Sequence, residues 1–138
     1  MSFCITNFNA VNNPAVSDEC FATATRNLIV NKGTTFKLSF VLTLDGNLAD
    51  LTGYSARASI KQSYSDTSDL VYLSSSNGMI KINLTSSSID LYIPEKITRR
   101  INVPIGVYDI EIINSNSETF RVVQGTMTFS EQVSTWTL

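Results

Sequence analysis

Thr34-Thr35-Phe36-Lys37-Leu38-Ser39-Phe40-Val41-Leu42-Thr43-Leu44 places Phe36, Leu38, Phe40, Leu42 and Leu44 at alternate positions. Side chains on a strand point to opposite faces with period two, so this stretch reads as a strand with one apolar face. Asp45-Gly46 follows, a pair that tolerates the two positive φ values of a tight hairpin turn. After Leu48-Ala49-Asp50-Leu51-Thr52-Gly53 the alternation resumes, with Tyr54, Ala56, Ala58 and Ile60 on one side and Ser55, Arg57, Ser59 and Lys61 on the other. The two runs read as neighbouring strands of a half-buried sheet.

The same pattern continues downstream. Leu70-Val71-Tyr72-Leu73 and Met79-Ile80-Lys81-Ile82-Asn83-Leu84 flank Ser74-Ser75-Ser76-Asn77-Gly78, a hairpin signal, with Ile80, Ile82 and Leu84 expected inside. Ile89, Leu91 and Ile93 alternate until Pro94, which lacks the donor that a ladder needs. Pro94 through Ile101 is the one helical candidate, with Pro94 at the first helical position and Ile97 and Ile101 four apart. Tyr108, Ile110 and Ile112 form a strand that returns through Asn114-Ser115-Asn116-Ser117 to a partner over Thr119 to Phe129. In that partner Phe120 and Val122 share one phase and Val123, Met127 and Phe129 the other, which predicts a bulge near Gly125. Asn27-Leu28-Ile29-Val30 adds a short early strand.

Upstream, residues 1–25 carry no sustained period: Asn7, Asn9, Asn12, Asn13 and Pro14 are turn formers, and Phe3, Ile5, Phe8 and Phe21 are isolated apolar residues. The expectation is an extended N-terminal arm that docks either on a neighbouring subunit or on the domain itself. The domain proper then spans 26–133, and 134–138 is a short C-terminal tail bearing Trp136 and Leu138. Short strands separated by Gly, Asn and Ser turns, almost without helix, predict an all-β, immunoglobulin-like antiparallel β-sandwich.

A length of 138 residues suits one domain. With 43% hydrophobic and 16% charged residues and a net charge of -2, the chain lacks the basic field of a nonspecific nucleic-acid binder. No apolar run reaches the roughly 20 residues of a membrane span, and Met1-Ser2-Phe3-Cys4 lacks the features of a cleaved secretion signal. Synthesis in the cytoplasm then predicts free thiols at Cys4 and Cys20. The absence of histidine removes the commonest general base and the usual Ser-His and Cys-His nucleophile systems.

What remains for chemistry is thin. Asp109 and Glu111 lie two apart on a strand, so their carboxylates share a face at roughly 7 Å, a spacing that glycosidases use; the solvated face opposite Tyr108, Ile110 and Ile112 accounts for them better. Lys96, Arg99 and Arg100 form the one local basic cluster. Tyr54, Tyr64, Tyr72 and Tyr92 are candidates for a sugar-binding platform, although tyrosine is also an ordinary strand former. No acidic segment has the spacing of a calcium loop, and no Gly-rich phosphate loop is present. The residues imply no cofactor and no metal.

The ordered set Gly33-Thr34-Thr35-Phe36-Lys37-Leu38-Ser39-Phe40, Ala49-Asp50-Leu51-Thr52-Gly53-Tyr54-Ser55-Ala56-Arg57, Asn77-Gly78-Met79-Ile80, Ile89-Asp90-Leu91-Tyr92-Ile93-Pro94, Gly106-Val107-Tyr108-Asp109-Ile110-Glu111-Ile112 and Arg121 to Phe129 resembles a small β-sandwich domain common among structural proteins of tailed bacteriophages. The resemblance covers about Leu28 to Val133 and leaves both ends outside. It implies a non-enzymatic structural subunit of a virion, an assembly or adaptor part of the tail, baseplate, fibre attachment or neck. Such a subunit is synthesised in the host cytoplasm, ends in the virion, and works as a homo-oligomer among other virion proteins, without nucleic acid or membrane as partner. On that reading Phe3, Phe8, Phe21, Trp136 and Leu138 are the expected interface anchors, because aromatic residues dominate interface energetics. The rival expectation is a sandwich module that binds host-surface carbohydrate.

Overall fold

The alternation at 36–44 becomes the longest strand of one sheet, and Phe36, Leu38, Phe40 and Leu42 are each at most 1% exposed. Burying a side chain of that size stabilises the fold by roughly 1.5–3 kcal/mol. The computed structural model describes residues 3–20 and 23–131. In chain order the elements are β1 (Cys4–Ala10), β2 (Ala24–Thr25), β3 (Leu28–Asn31), β4 (Phe36–Leu44), β5 (Asn47–Leu48), β6 (Ser55–Lys61), β7 (Val71–Ser74), β8 (Ile80–Asn83), β9 (Ser88–Ile93), α1 (Glu95–Arg100), β10 (Ile105–Ile113) and β11 (Thr119–Ser130).

The first sheet has the order β1-β4-β9-β8, with β5 folded back on β4; the second has the order β2-β11-β10-β6-β7, with β3 also on β11. The strands pair antiparallel except β2 and β3, which run parallel to β11. This is an immunoglobulin-like sandwich: the first sheet has the A-B-E-D arrangement and the second has C, F and G with an added strand beside C.

Two connections differ from the sequence reading. β4 and β6 are not neighbours; they lie in opposite sheets. The expected tight turn is present, with φ of 54° at Asp45 and 82° at Gly46, but it serves only the two-residue β5. Ala49 and Leu51 then plug the end of the core, and the chain turns at Gly53 into the other sheet. Likewise β7 and β8 are not a hairpin, because β7 pairs with β6 and β8 with β9. Of the three residues expected inside along β8, Ile80 is buried, Ile82 is half-buried and Leu84 is exposed. The hairpin of β10 and β11 forms as expected.

The N-terminal stretch is not a free arm. Cys4–Ala10 is β1, paired with β4, and the register shifts between Thr6 and Asn9 where Asn7 takes a φ of 52°. That bulge puts Phe3 and Ile5 and then Phe8 and Ala10 into the core. The next residues return along β1, where Ile5 and Glu19 exchange backbone hydrogen bonds of 2.7 and 3.0 Å. A disulfide joins Cys4 to Cys20, correcting the expectation of free thiols: β1 and the returning strap bring two residues 16 apart in sequence side by side.

The bulge of β11 falls at Val122, since Ile110 pairs with Val123 and Glu111 with Arg121. It is not at Gly125. Gly125 serves close approach instead, because a Cβ there would meet the Arg26 carbonyl carbon at 2.7 Å. Pro94 is the N-cap of α1 and not its first residue. The buried Thr98 hydroxyl ties α1 to the core, donating to the Thr34 carbonyl at 2.7 Å and accepting from the Gly33 N–H at 3.1 Å.

Candidate functional site

The carboxylate pair lies on the outer face of the second sheet. β10 runs between β6 and β11, which sets Glu111 opposite both Arg57 and Arg121, and Asp109 opposite Ser59 and Gln124. Arg57 Nε donates to Glu111 Oε1 at 2.9 Å. Arg121 Nε lies 3.4 Å from Asp109 Oδ2, and its Nη2 lies 3.9 Å from Glu111 Oε2. Burial, and then the neighbouring Glu111 charge, push the Asp109 carboxyl above its ordinary range, against the pull of Arg121, Lys61 and Arg57.

These residues line an open groove of about 460 Å³ that Tyr64 and Tyr72 flank. Of the four tyrosines, only these two come together at the groove; Tyr92 projects from the first sheet and Tyr54 packs against the core. Glycoside hydrolysis requires one carboxyl as acid and the other free as nucleophile or base. Here each carboxylate has an arginine beside it, so the arrangement is an ion-pair ladder across three strands. In the basic cluster, Arg99 pairs with Glu95 on the next turn of α1 at 2.5 Å.

The expected interface anchors divide. Phe3 packs edge-on against Phe120 with ring centroids 5.8 Å apart, and Phe8 stacks on Phe40 at 5.9 Å. Both are core residues, so neither offers a surface to another subunit. Phe21, Trp136 and Leu138 lie outside the described residues.

The strands that end the two sheets are where another chain could add, because an end strand presents unpaired N–H and C=O groups. Three of the four ends are closed. At β1, Glu19 pairs with Ile5, and the Asn7 N–H donates to Asp18 Oδ1 at 3.3 Å. At β3, the Asn13 carboxamide takes the place of a strand: Oδ1 accepts from the Ile29 N–H and Nδ2 donates to the Ile29 carbonyl, both at 2.8 Å. At β7, Asn77 does the same, accepting from the Ser74 N–H at 3.0 Å and donating to the Tyr72 carbonyl at 2.9 Å.

The fourth end, β8, is open. The Tyr92 N–H donates to the Met79 carbonyl at 2.8 Å and Lys81 stands opposite Asp90, so the alternation of an antiparallel ladder turns the peptide groups of Ile80 and Ile82 away from β9. Among the described residues nothing hydrogen-bonds to them.

Arg26 holds the strap that closes β1. Its guanidinium pairs with Glu19, donates to the Ser17 carbonyl at 2.8 Å and lies 5.5 Å from the centre of the Phe8 ring. Its own carbonyl accepts from the Tyr108 hydroxyl at 2.6 Å, and burial raises the Tyr108 phenol far above its usual range, so it stays a donor. The sequence reading missed Asn13, Asn77 and Arg26. The asparagines were legible only as turn formers, and no local pattern marks the edge that each one caps.

No group of three or more potential metal-ligating side chains gathers among the described residues, and no helix there is long and apolar enough to cross a membrane. No model of a known protein family matches the chain, and no curated protein matches it.

Proposed function

We propose that this chain is a non-enzymatic structural subunit of a tailed-bacteriophage virion, an assembly or adaptor part of the tail, baseplate, fibre attachment or neck that works as a homo-oligomer among other virion proteins. The observation that carries this reading is the closure of three sheet ends and the opening of one. A rigid module with one uncapped edge among its described residues joins a neighbour in one orientation, which is what ordered assembly requires. The Cys4–Cys20 disulfide supports it too, because disulfides persist on virion surfaces and are rare in reducing cytoplasm. The pairing of Asp109 and Glu111 with arginines supports the non-enzymatic part.

The test is peptide mass spectrometry of particles purified from lysates of cells carrying this coding sequence. A fixed ratio of this chain to the major particle protein through successive gradients is expected. Loss of the chain from particles that keep their tails would sink the reading.

Carbohydrate binding is the second reading, and the placement of Tyr64 and Tyr72 beside Gln124 and Asp109 favours it. Binding of cell-surface glycan that Tyr64→Ala and Tyr72→Ala together abolish would support it over the structural role.

A further inference from the structure

We infer that the open edge of β8 accepts an extended strand from a second copy of this chain, and that the strand is the C-terminal stretch beginning after Glu131. This goes beyond the virion reading and stands without it, since it concerns only how copies join.

The edge has two features that call for a partner. The peptide groups of Ile80 and Ile82 point outward with no partner among the described residues, and beside them Ile82 is half-buried and Leu84 exposed. At the Met79 end of the strand, between the starts of β7 and β8, a pocket of about 300 Å³ is lined by Leu70, Met79, Ile97 and Ile101 together with Tyr72, Arg100 and Asn102. A pocket of mixed lining at the end of an open edge seats one large amphipathic side chain of an added strand, such as tryptophan with its apolar ring and N–H, while main-chain hydrogen bonds hold the rest.

The edge also selects against itself. Two β8 edges in full antiparallel overlap would set Ile80 opposite Ile82 and Lys81 opposite Lys81. Like charges directly opposed are destabilising. The partner therefore brings a strand without a basic residue at that place and with apolar residues in the phase of Ile80 and Ile82.

The chain supplies such a sequence. After Glu131 it reads Gln132-Val133-Ser134-Thr135-Trp136-Thr137-Leu138, without charge, rich in β-forming residues, with Trp136 and Leu138 in one phase and Val133, Thr135 and Thr137 in the other. Trp136 is the residue for the pocket. Within one chain the stretch leaves from β11, whose Ser130 stands beside Asn31 in the second sheet, whereas β8 ends the first sheet. Addition to a second copy makes a head-to-tail contact between unlike surfaces, which repeats from copy to copy.

Complementation between full-length variants tests this. Trp136→Lys spoils the donor and leaves the edge intact; Ile82→Pro removes an outward N–H from the edge and leaves the donor intact. Light scattering is expected to give more than one chain mass for the unmodified protein, one chain mass for each variant alone, and two chain masses for their mixture. Met79→Glu, which puts a charge into the pocket, replaces Ile82→Pro if circular dichroism shows that the proline variant does not fold. A single-chain mass for the unmodified protein would overturn the inference, placing the stretch on its own chain or nowhere. So would a variant that keeps the unmodified mass, or a mixture that stays at one chain mass. A single-chain mass would also remove the homo-oligomer from the virion reading, whereas particle composition is untouched by any of these results, so membership of the virion and this inference fail separately.

Discussion

Asn13 stands in for a β-strand beside Ile29, its carboxamide accepting from the Ile29 N–H and donating to the Ile29 carbonyl, each at 2.8 Å. A residue that lies 16 positions upstream thus closes the edge of β3 as a neighbouring strand would. Asn13→Ala is expected to cost about 1 kcal/mol, the usual net worth of such bonds where water can replace them, and to promote association that grows with concentration. Urea denaturation and light scattering check both parts. An unchanged midpoint together with an unchanged mass would mean that water closes the edge equally well.

Gly125 is where the backbone at Arg26 touches β11. A Cβ would meet the Arg26 carbonyl carbon at 2.7 Å and Asn27 Oδ1 at 3.1 Å, and the first of these is main chain that cannot swing away. Gly125→Ala is expected to destabilise by about 1–3 kcal/mol, as overpacking does. A thermal midpoint equal to that of the parent would show that β2 and β3 yield to it freely.

The Cys4–Cys20 disulfide closes a segment with a sequence separation of 16, so in the chain-entropy account it contributes about 3 kcal/mol. The paired change Cys4→Ser and Cys20→Ser, and reduction of the parent with dithiothreitol, are expected to lower the urea midpoint to the same value. A double variant as stable as the oxidised parent would sink the assignment of that stability to the cross-link.

Asp109 predicts a pH dependence. Its carboxyl in the folded protein holds its proton to higher pH than in the unfolded chain, because burial and Glu111 outweigh the cations around it. Between the two pKa values the folded state binds more protons, so this group's contribution to stability falls as pH rises through that window. Asp109→Asn is therefore expected to gain stability relative to the parent at pH 7 and to show no such gain at pH 3. Thermal melts of both proteins at the two pH values check it, and a gain of equal size at both would rule out the linkage.

Legibility followed the alternation. The phases of β4, β6 and β10 could be read directly, because period two with a buried face needs only the strand itself. β1 escaped because one positive-φ residue, Asn7, breaks its phase: Phe3 and Ile5 are two apart, Ile5 and Phe8 three apart. The phase change in β11 was visible, but Gly125 attracted the bulge that Val122 holds. Asp109 and Glu111 were visible as a pair on one face. The arginines beside them come from β6 and β11, so their effect on the carboxylates was not.

By itself the sequence determined the longer strands from Leu28 onward, which of their faces is apolar, that the turns at Asp45-Gly46 and Asn114 to Ser117 are tight, and that the domain is an all-β sandwich. Each of these follows from interactions within a few residues. The tertiary structure decided which strands share a sheet, since an alternating run buries the same face whether its neighbour lies beside it or across the core. It also decided the pairing of Cys4 with Cys20, the burial of Phe3 and Phe8, and the closing of three sheet ends with one left open. Those depend on groups distant in sequence meeting in space, and only the folded chain brings them together.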